Sequence, residues 1–117
     1  MRFMLLVYAT EDAYGPGDRE ACFEESVRLT HELKAKGQYL DASPLQLVAT
    51  AKSVRVREGK KLITDGPFAE TREILGGFYM VEAADEAEAL EIAAKIPGAR
   101  VGTVEVRPIQ ELAGLPE

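Results

Sequence analysis

Hydrophobic and polar positions alternate along this chain in short blocks. Residues 2–8 are apolar on both sides of a period-two pattern. Phe3, Leu5 and Val7 fall on one side, and Met4, Leu6 and Tyr8 on the other. A strand with two apolar faces needs cover on both. Gly15-Pro16-Gly17 then marks a loop, and Asp18 stands where a helix N-cap belongs. Residues 19–36 read as a helix closed by Gly37. At 100° per residue, Cys22, Phe23, Ser26, Leu29, Thr30 and Leu33 share one face. Glu20, Glu24, Arg28, Glu32 and Lys36 lie opposite, and the last four make a ladder of i,i+4 pairs that should face water.

Residues 39–43 read as a second strand, stopped by Pro44. Residues 45–51 fit either an irregular crossing or a short edge strand. Residues 53–57 alternate, with Val54 and Val56 on one face and Ser53, Arg55 and Arg57 on the other. Glu58-Gly59-Lys60 forms a hairpin turn and residues 61–64 return. Residues 74–82 make the next strand, where Gly76-Gly77 marks a bulge or a close backbone approach. Asp85 and Glu88 have capping-box spacing and open a second helix running to about Ile96, with Ala87, Leu90, Ala93 and Ala94 as its inner face. Pro97-Gly98 ends it, residues 102–108 form the last strand, and residues 109–117 show no period and read as a loose tail. With the hairpin set aside, the order is the split βαβ, ferredoxin-like α+β pattern. Two helices cover one face of such a sheet. The apolar second face then needs another copy of the chain, so a homodimer is expected.

At 117 residues the chain is one domain, 1–117. Its net charge of −6 argues against nucleic acid as the main partner. Lys52, Arg55, Arg57, Lys60 and Lys61, opposed by Glu58, are a local exception; they fit a solvated hairpin side or an anion-steering patch. No apolar run approaches the ~20 residues that cross a bilayer. The first apolar run is too short for a signal-peptide core, so the expected place is the cytoplasm, with no membrane partner. One cysteine, Cys22, leaves no internal disulfide. Cys22 and the single histidine, His31, cannot build an ordinary N/S metal site. No Gly-rich phosphate loop or dinucleotide fingerprint is present, so no cofactor is expected.

The chemistry concentrates in Asp65-Gly66-Pro67-Phe68-Ala69-Glu70-Thr71-Arg72-Glu73. Asp-Gly-Pro is a stiff turn: Asp accepts from the backbone ahead, Gly admits positive φ, and Pro fixes its own φ. Gly66, preceding Pro67, is biased toward extended backbone. This run closely resembles the signature of the YCII-related, or DGPF-domain, family of small bacterial proteins. Leu75-Gly76-Gly77-Phe78-Tyr79 and Val104-Glu105-Val106-Arg107-Pro108 resemble further blocks of it, and the resemblance extends from Met1 to about Pro108. It implies a dimeric α+β barrel. Its functional reach is divided between a cofactor-free lyase- or isomerase-like enzyme and a non-catalytic ligand-binding or regulatory module linked to transcription control. Some relatives carry a histidine on the first helix that looks into the cleft. Placement by the helix-ending glycine puts Ser26 at about that position, and on this placement the chain lacks the histidine.

The residues leave these candidates. Asp65 is either an Asx-turn residue or a carboxylate at a cleft mouth, made more basic by apolar neighbours such as Phe68 and serving as a general base. Ser26 either back-bonds to the carbonyl one turn earlier or presents its hydroxyl to a pocket, where it would join Asp65 in the chemistry. Phe68 supplies an apolar wall, Arg72 receives an anionic small molecule, and Tyr8 lies nearby. Glu70 and Arg72 are equally readable as a structural ion pair. His31 falls on the polar side of its helix and reads as a surface residue.

Overall fold

The first apolar run forms β1 (Arg2–Ala9), a central strand of a four-stranded antiparallel sheet. The computed structural model describes residues 1–69 and 71–116. After β1 come α1 (Asp18–Ala35), β2 (Tyr39–Pro44), the hairpin β3 (Lys52–Arg57) and β4 (Lys60–Asp65), then β5 (Ile74–Glu82), α2 (Glu86–Ala94), a short turn α3 (Gly98–Val101) and β6 (Thr103–Pro108). The sheet order is β2-β5-β1-β6, and the hairpin is a separate two-stranded sheet. Without the hairpin this is the ferredoxin-like split βαβ order expected from the sequence. Residues 45–51 are an irregular crossing with one helical turn at Val48–Thr50. Among the described residues, no helix is long and apolar enough to cross a membrane.

Both helices lie on one side of the sheet. The core joins Phe3, Leu5, Tyr79 and Val81 from the sheet with Leu29 and Leu33 of α1 and Ala89, Ile92, Ala93 and Ile96 around α2. The register of the strands defines the other side. Met4 pairs with Met80, Leu6 with Phe78, and Tyr8 with Leu75. Met4, Leu6, Tyr8, Phe78 and Met80 are half-buried. Asp41 and Ser43 of β2 flank them at one edge, and Thr103, Glu105 and Arg107 of β6 at the other. An apolar centre with a polar rim is the anatomy of a protein interface.

The pair Gly76-Gly77 serves two purposes. The β1–β5 register shifts opposite Gly76, the bulge expected there. Gly77 is the close approach: a Cβ on it would lie 3.1 Å from the Ser43 carbonyl oxygen and 3.2 Å from Pro44 Cα.

Several local expectations need correction. Gly17, at φ 78, holds the N-cap position of α1, and Asp18 is the first helical residue. The Asp18 carboxylate instead accepts from the Gly15 N–H at 3.0 Å, closing the loop behind it. The inner face of α2 is Ala89, Ile92 and Ala93, while Ala87, Leu90 and Ala94 face outward, Leu90 at 50% exposure. The cap fixes where the helix starts. Asp85 accepts from Glu88 N–H at 2.9 Å, and Glu88 accepts from Ala84 N–H and from Gln38 Nε2, each at 3.0 Å. Of the α1 ladder, only Glu32–Lys36 is formed among the described residues, at 3.6 Å, with Lys95 reaching the same carboxylate at 3.7 Å.

The molecule is extended for its size. Its radius of gyration is 16.0 Å, against about 13 Å for a compact chain of this length. The exposed surface is 8464 Å², against about 6,300 Å² for a compact monomer of this mass. Much of the difference lies in the β3–β4 hairpin, whose strands are exposed almost throughout.

Candidate functional site

The buried residues of α1 are confined to its C-terminal half, at Leu29 and Leu33. Toward the N-terminus the same face bears Cys22, Phe23 and Ser26, none of them fully buried. The sheet floor below them combines small groups, Ala42 of β2 and Gly76 and Gly77 of β5, with the side chain of Tyr79. The result is a cleft of ≈ 390 Å³ between α1 and the sheet, lined also by residues 44–47, Tyr14 and Arg19. That volume lies within the range of small-molecule sites, and its lining is mostly apolar with a few polar groups, as such sites are.

The polar groups are mostly neutral donors. Burial pushes the Tyr79 phenol up, against the pull of the Ser26 hydroxyl beside it. Burial likewise raises Tyr14, as does Cys22, while Arg19 opposes. Burial raises the Cys22 thiol too, although Arg100 works against it. A thiol held protonated is a weak nucleophile, so Cys22 is a packing and contact group here. Glu11, also in the lining, is engaged: its Oε2 accepts from the Val48 N–H at 2.8 Å. Among the described residues, Arg19 is the one cation in the lining. Its guanidinium lies 4.8 Å from the Phe23 ring centroid, and Nη2 donates to the Leu45 carbonyl at 3.4 Å. Most of its five donors remain available to a ligand. Outside the cleft, Arg100 grips Glu25 through two bonds of 2.8 and 2.9 Å, joining α3 to α1.

The candidates named from the sequence do not gather in one place within a single chain. Ser26 lines the cleft, and no back-bond to the preceding turn is formed; its neighbour Thr30 makes one instead, to the Val27 carbonyl at 2.6 Å. Tyr8 lies on the opposite face of the sheet, in line with Leu75 and Thr103. Asp65, Phe68 and Arg72 are outside the lining. Asp65 ends β4, is 87% exposed and pairs with Lys52 Nζ across the hairpin. The apolar enclosure on which a general-base reading rests is not there. Phe68 is 71% exposed, with the Arg55 guanidinium 4.6 Å from its ring centroid. Arg72 is exposed, and Glu70 lies outside the described residues. Gly66 is not extended but takes φ 96, the freedom only glycine has cheaply. Its N–H donates to Ala51 O at 2.8 Å and its carbonyl accepts from Ser53 Oγ at 2.7 Å, so the turn locks the hairpin base.

Residues 1–113 match the YCII-related domain. The chain belongs to the YCII-related family. It is also 34% identical, over 118 aligned residues, to an uncharacterized protein of Rhizobium meliloti (strain 1021), covering 93% of this chain and 92% of that protein. In this YCII-related chain the cleft and the signature turn are separate features. Arg19, Tyr14 and Tyr79 were missed as site residues by sequence reasoning. Tyr79 was detectable: it shares its strand face with Gly77 and the core residue Val81.

The Asp65→Asn variant should stay folded, with cleft properties unchanged. An exposed ion pair is worth about 0–1 kcal/mol, so the melting temperature should fall by no more than a few degrees. Thermal denaturation followed by circular dichroism reads the result. A fall beyond about 10 °C would show the carboxylate to be essential to the turn.

Proposed function

We propose that this YCII-related protein is a homodimer that binds a small, largely apolar molecule bearing one acidic group. The carrying observation is the cleft between α1 and the sheet, with a mostly apolar lining and one cation among its described residues. The ligand's apolar body would lie over Gly76 and Gly77. Its acidic group would meet Arg19, and the Ser26, Tyr14 and Tyr79 hydroxyls would supply orientation. The homodimer reading is supported by the outer sheet face, apolar at its centre and polar at both edges. A cofactor-free lyase or isomerase acting through Asp65 draws no support from the single chain, because Asp65 is solvated and away from the cleft. Ligand binding without proton transfer fits the neutral phenols and thiol of the lining.

The probe is 8-anilinonaphthalene-1-sulfonate, an apolar aromatic anion that fluoresces when sheltered from water. The wild type should take up one molecule per chain in a saturable titration. Arg19→Ala should weaken uptake by about tenfold through loss of a charge-assisted bond. Ser26→Trp should fill the cleft and abolish uptake with the fold retained. Uptake unchanged by Ser26→Trp, or absent from the wild type, contradicts the proposal.

A further inference from the structure

The β3–β4 hairpin is the part of the chain that the cleft leaves unexplained. Its register pairs Val54 with Ile63 and Val56 with Lys61 on one face, and Arg55 with Leu62 on the other. Val54 is 59% exposed and Ile63 57%, and Val56 and Leu62 are exposed as well. Phe68 joins the second face by stacking on Arg55. A free two-stranded hairpin is marginal in water, since it buries too little apolar surface to offset its ordering. This one makes no extensive contact with any other element of its chain, yet its turn is well formed, with Glu58 at φ 51 and Gly59 at φ 75. Exposed β-branched pairs on such a ribbon are an aggregation hazard unless a partner covers them.

Charge indicates the partner. Five cations against Glu58 give residues 52–61 a charge of +4 within a chain of net −6, so the other residues together carry −10. A basic arm and an acidic body within one sequence are complementary between copies. Nucleic acid is disfavoured by the chain's net charge of −6, and because Arg55, Arg57 and Lys60 share one face of the ribbon while Val54, Val56 and Ile63 make the other face largely apolar. The excess surface of roughly 2,000 Å² over a compact monomer exceeds the ≈ 800 Å² per partner of a standard interface. The arm also leaves from the end of β2, the edge strand whose Asp41 and Ser43 rim the outer apolar face.

We propose that the β3–β4 hairpin is an exchanged arm: it docks on a second copy of this chain and lays Val54, Val56 and Ile63 on that copy's acidic body. The outer sheet face supplies one contact of the dimer and the two arms a second, continuous with it.

This inference extends the homodimer reading, and its test separates the two. Sedimentation at micromolar concentration should show the wild type as a dimer. The Val54→Lys/Ile63→Lys variant should weaken dimerisation by at least about tenfold. Its circular dichroism and the melting of the isolated monomer should be unchanged, since neither side chain supports its own chain's core. Lys60→Glu/Lys61→Glu, which takes the charge of residues 52–61 from +4 to zero, should weaken the dimer likewise. A double-lysine variant that dimerises as tightly as the wild type overturns the arm and leaves the sheet-face dimer standing. A monomeric wild type overturns both.

Discussion

Gly102→Ala should cost about 3 kcal/mol or more, at the upper end of overpacking effects. A Cβ on Gly102 would lie 2.0 Å from the Tyr8 carbonyl oxygen and 2.9 Å from Ala9 Cα. Those atoms belong to the end of β1, which is held on both sides: Tyr8 pairs with Leu75 of β5 and with Thr103 of β6. Neither strand can retreat without breaking the ladder that carries the sheet. A flexible side chain could move aside, but backbone cannot. The melting temperature should therefore fall by well over about 10 °C, or the variant should fail to fold. Gly76→Ala is the control. The nearest atom to its added Cβ is Val7 O at 3.9 Å, ordinary contact, so that variant should lie within about 1 kcal/mol of the wild type. Equal melting of the two variants would show that the packing of α3 and β6 against β1 is not as described.

Adjacent leucines should respond in opposite ways to the same charge. Leu5 is fully buried against the helices, and the described core holds no polar or charged residue to receive a cation. Leu5→Arg should unfold the chain, because an unpaired buried charge costs several kcal/mol out of a total stability of roughly 5–15 kcal/mol. Leu6 points to the other side of β1 and is half-buried beside Phe78 and Met80. Leu6→Arg should leave the single chain folded by circular dichroism while converting the proposed dimer to a monomer in sedimentation. The sheet-face dimer fails as a reading if Leu6→Arg dimerises as tightly as the wild type.

Much of the fold was legible because local rules and tertiary needs agreed. Period-two patterns gave β1 and β5, their doubly apolar faces called for cover on both sides, and two helices were expected to cover one of them. Asp85 marked the start of α2 because an acceptor at that position satisfies the Glu88 N–H. Gly76-Gly77 marked both a bulge and a close approach. The rotation of α2 was not legible. Ala87, Ala89, Ala93 and Ala94 are equal in hydrophobicity, and only the packing of Ile92 and Ile96 decides which of them face the sheet. Asp18 misled for a related reason: it has two uses for its carboxylate, and the Gly15-Pro16-Gly17 loop offered the nearer donor.

The candidate site was half legible. The spacing of Cys22, Ser26 and Thr30 put Ser26 on the apolar side of α1, where a back-bond and a pocket were both readable, and Ser26 lines the cleft. The signature turn could not be placed that way. Its local chemistry fixes the conformation of Asp65-Gly66-Pro67, and Gly66 does adopt the positive φ that turn chemistry allows. Where the turn sits depends on the direction in which the hairpin leaves β2, a long-range property with no local signal. Arg19 was hidden because helix periodicity counts it as polar surface, whereas it joins residues 44–47 in the cleft lining.

The most direct test of the cleft is amide chemical-shift mapping of the isotope-labelled protein during titration with 8-anilinonaphthalene-1-sulfonate. The account predicts that the largest shifts fall on Arg19, Cys22, Ser26, Gly77 and Tyr79. Shifts confined to Met4, Leu6 and Met80 on the outer face, or to Val54 and Ile63 on the arm, would contradict it.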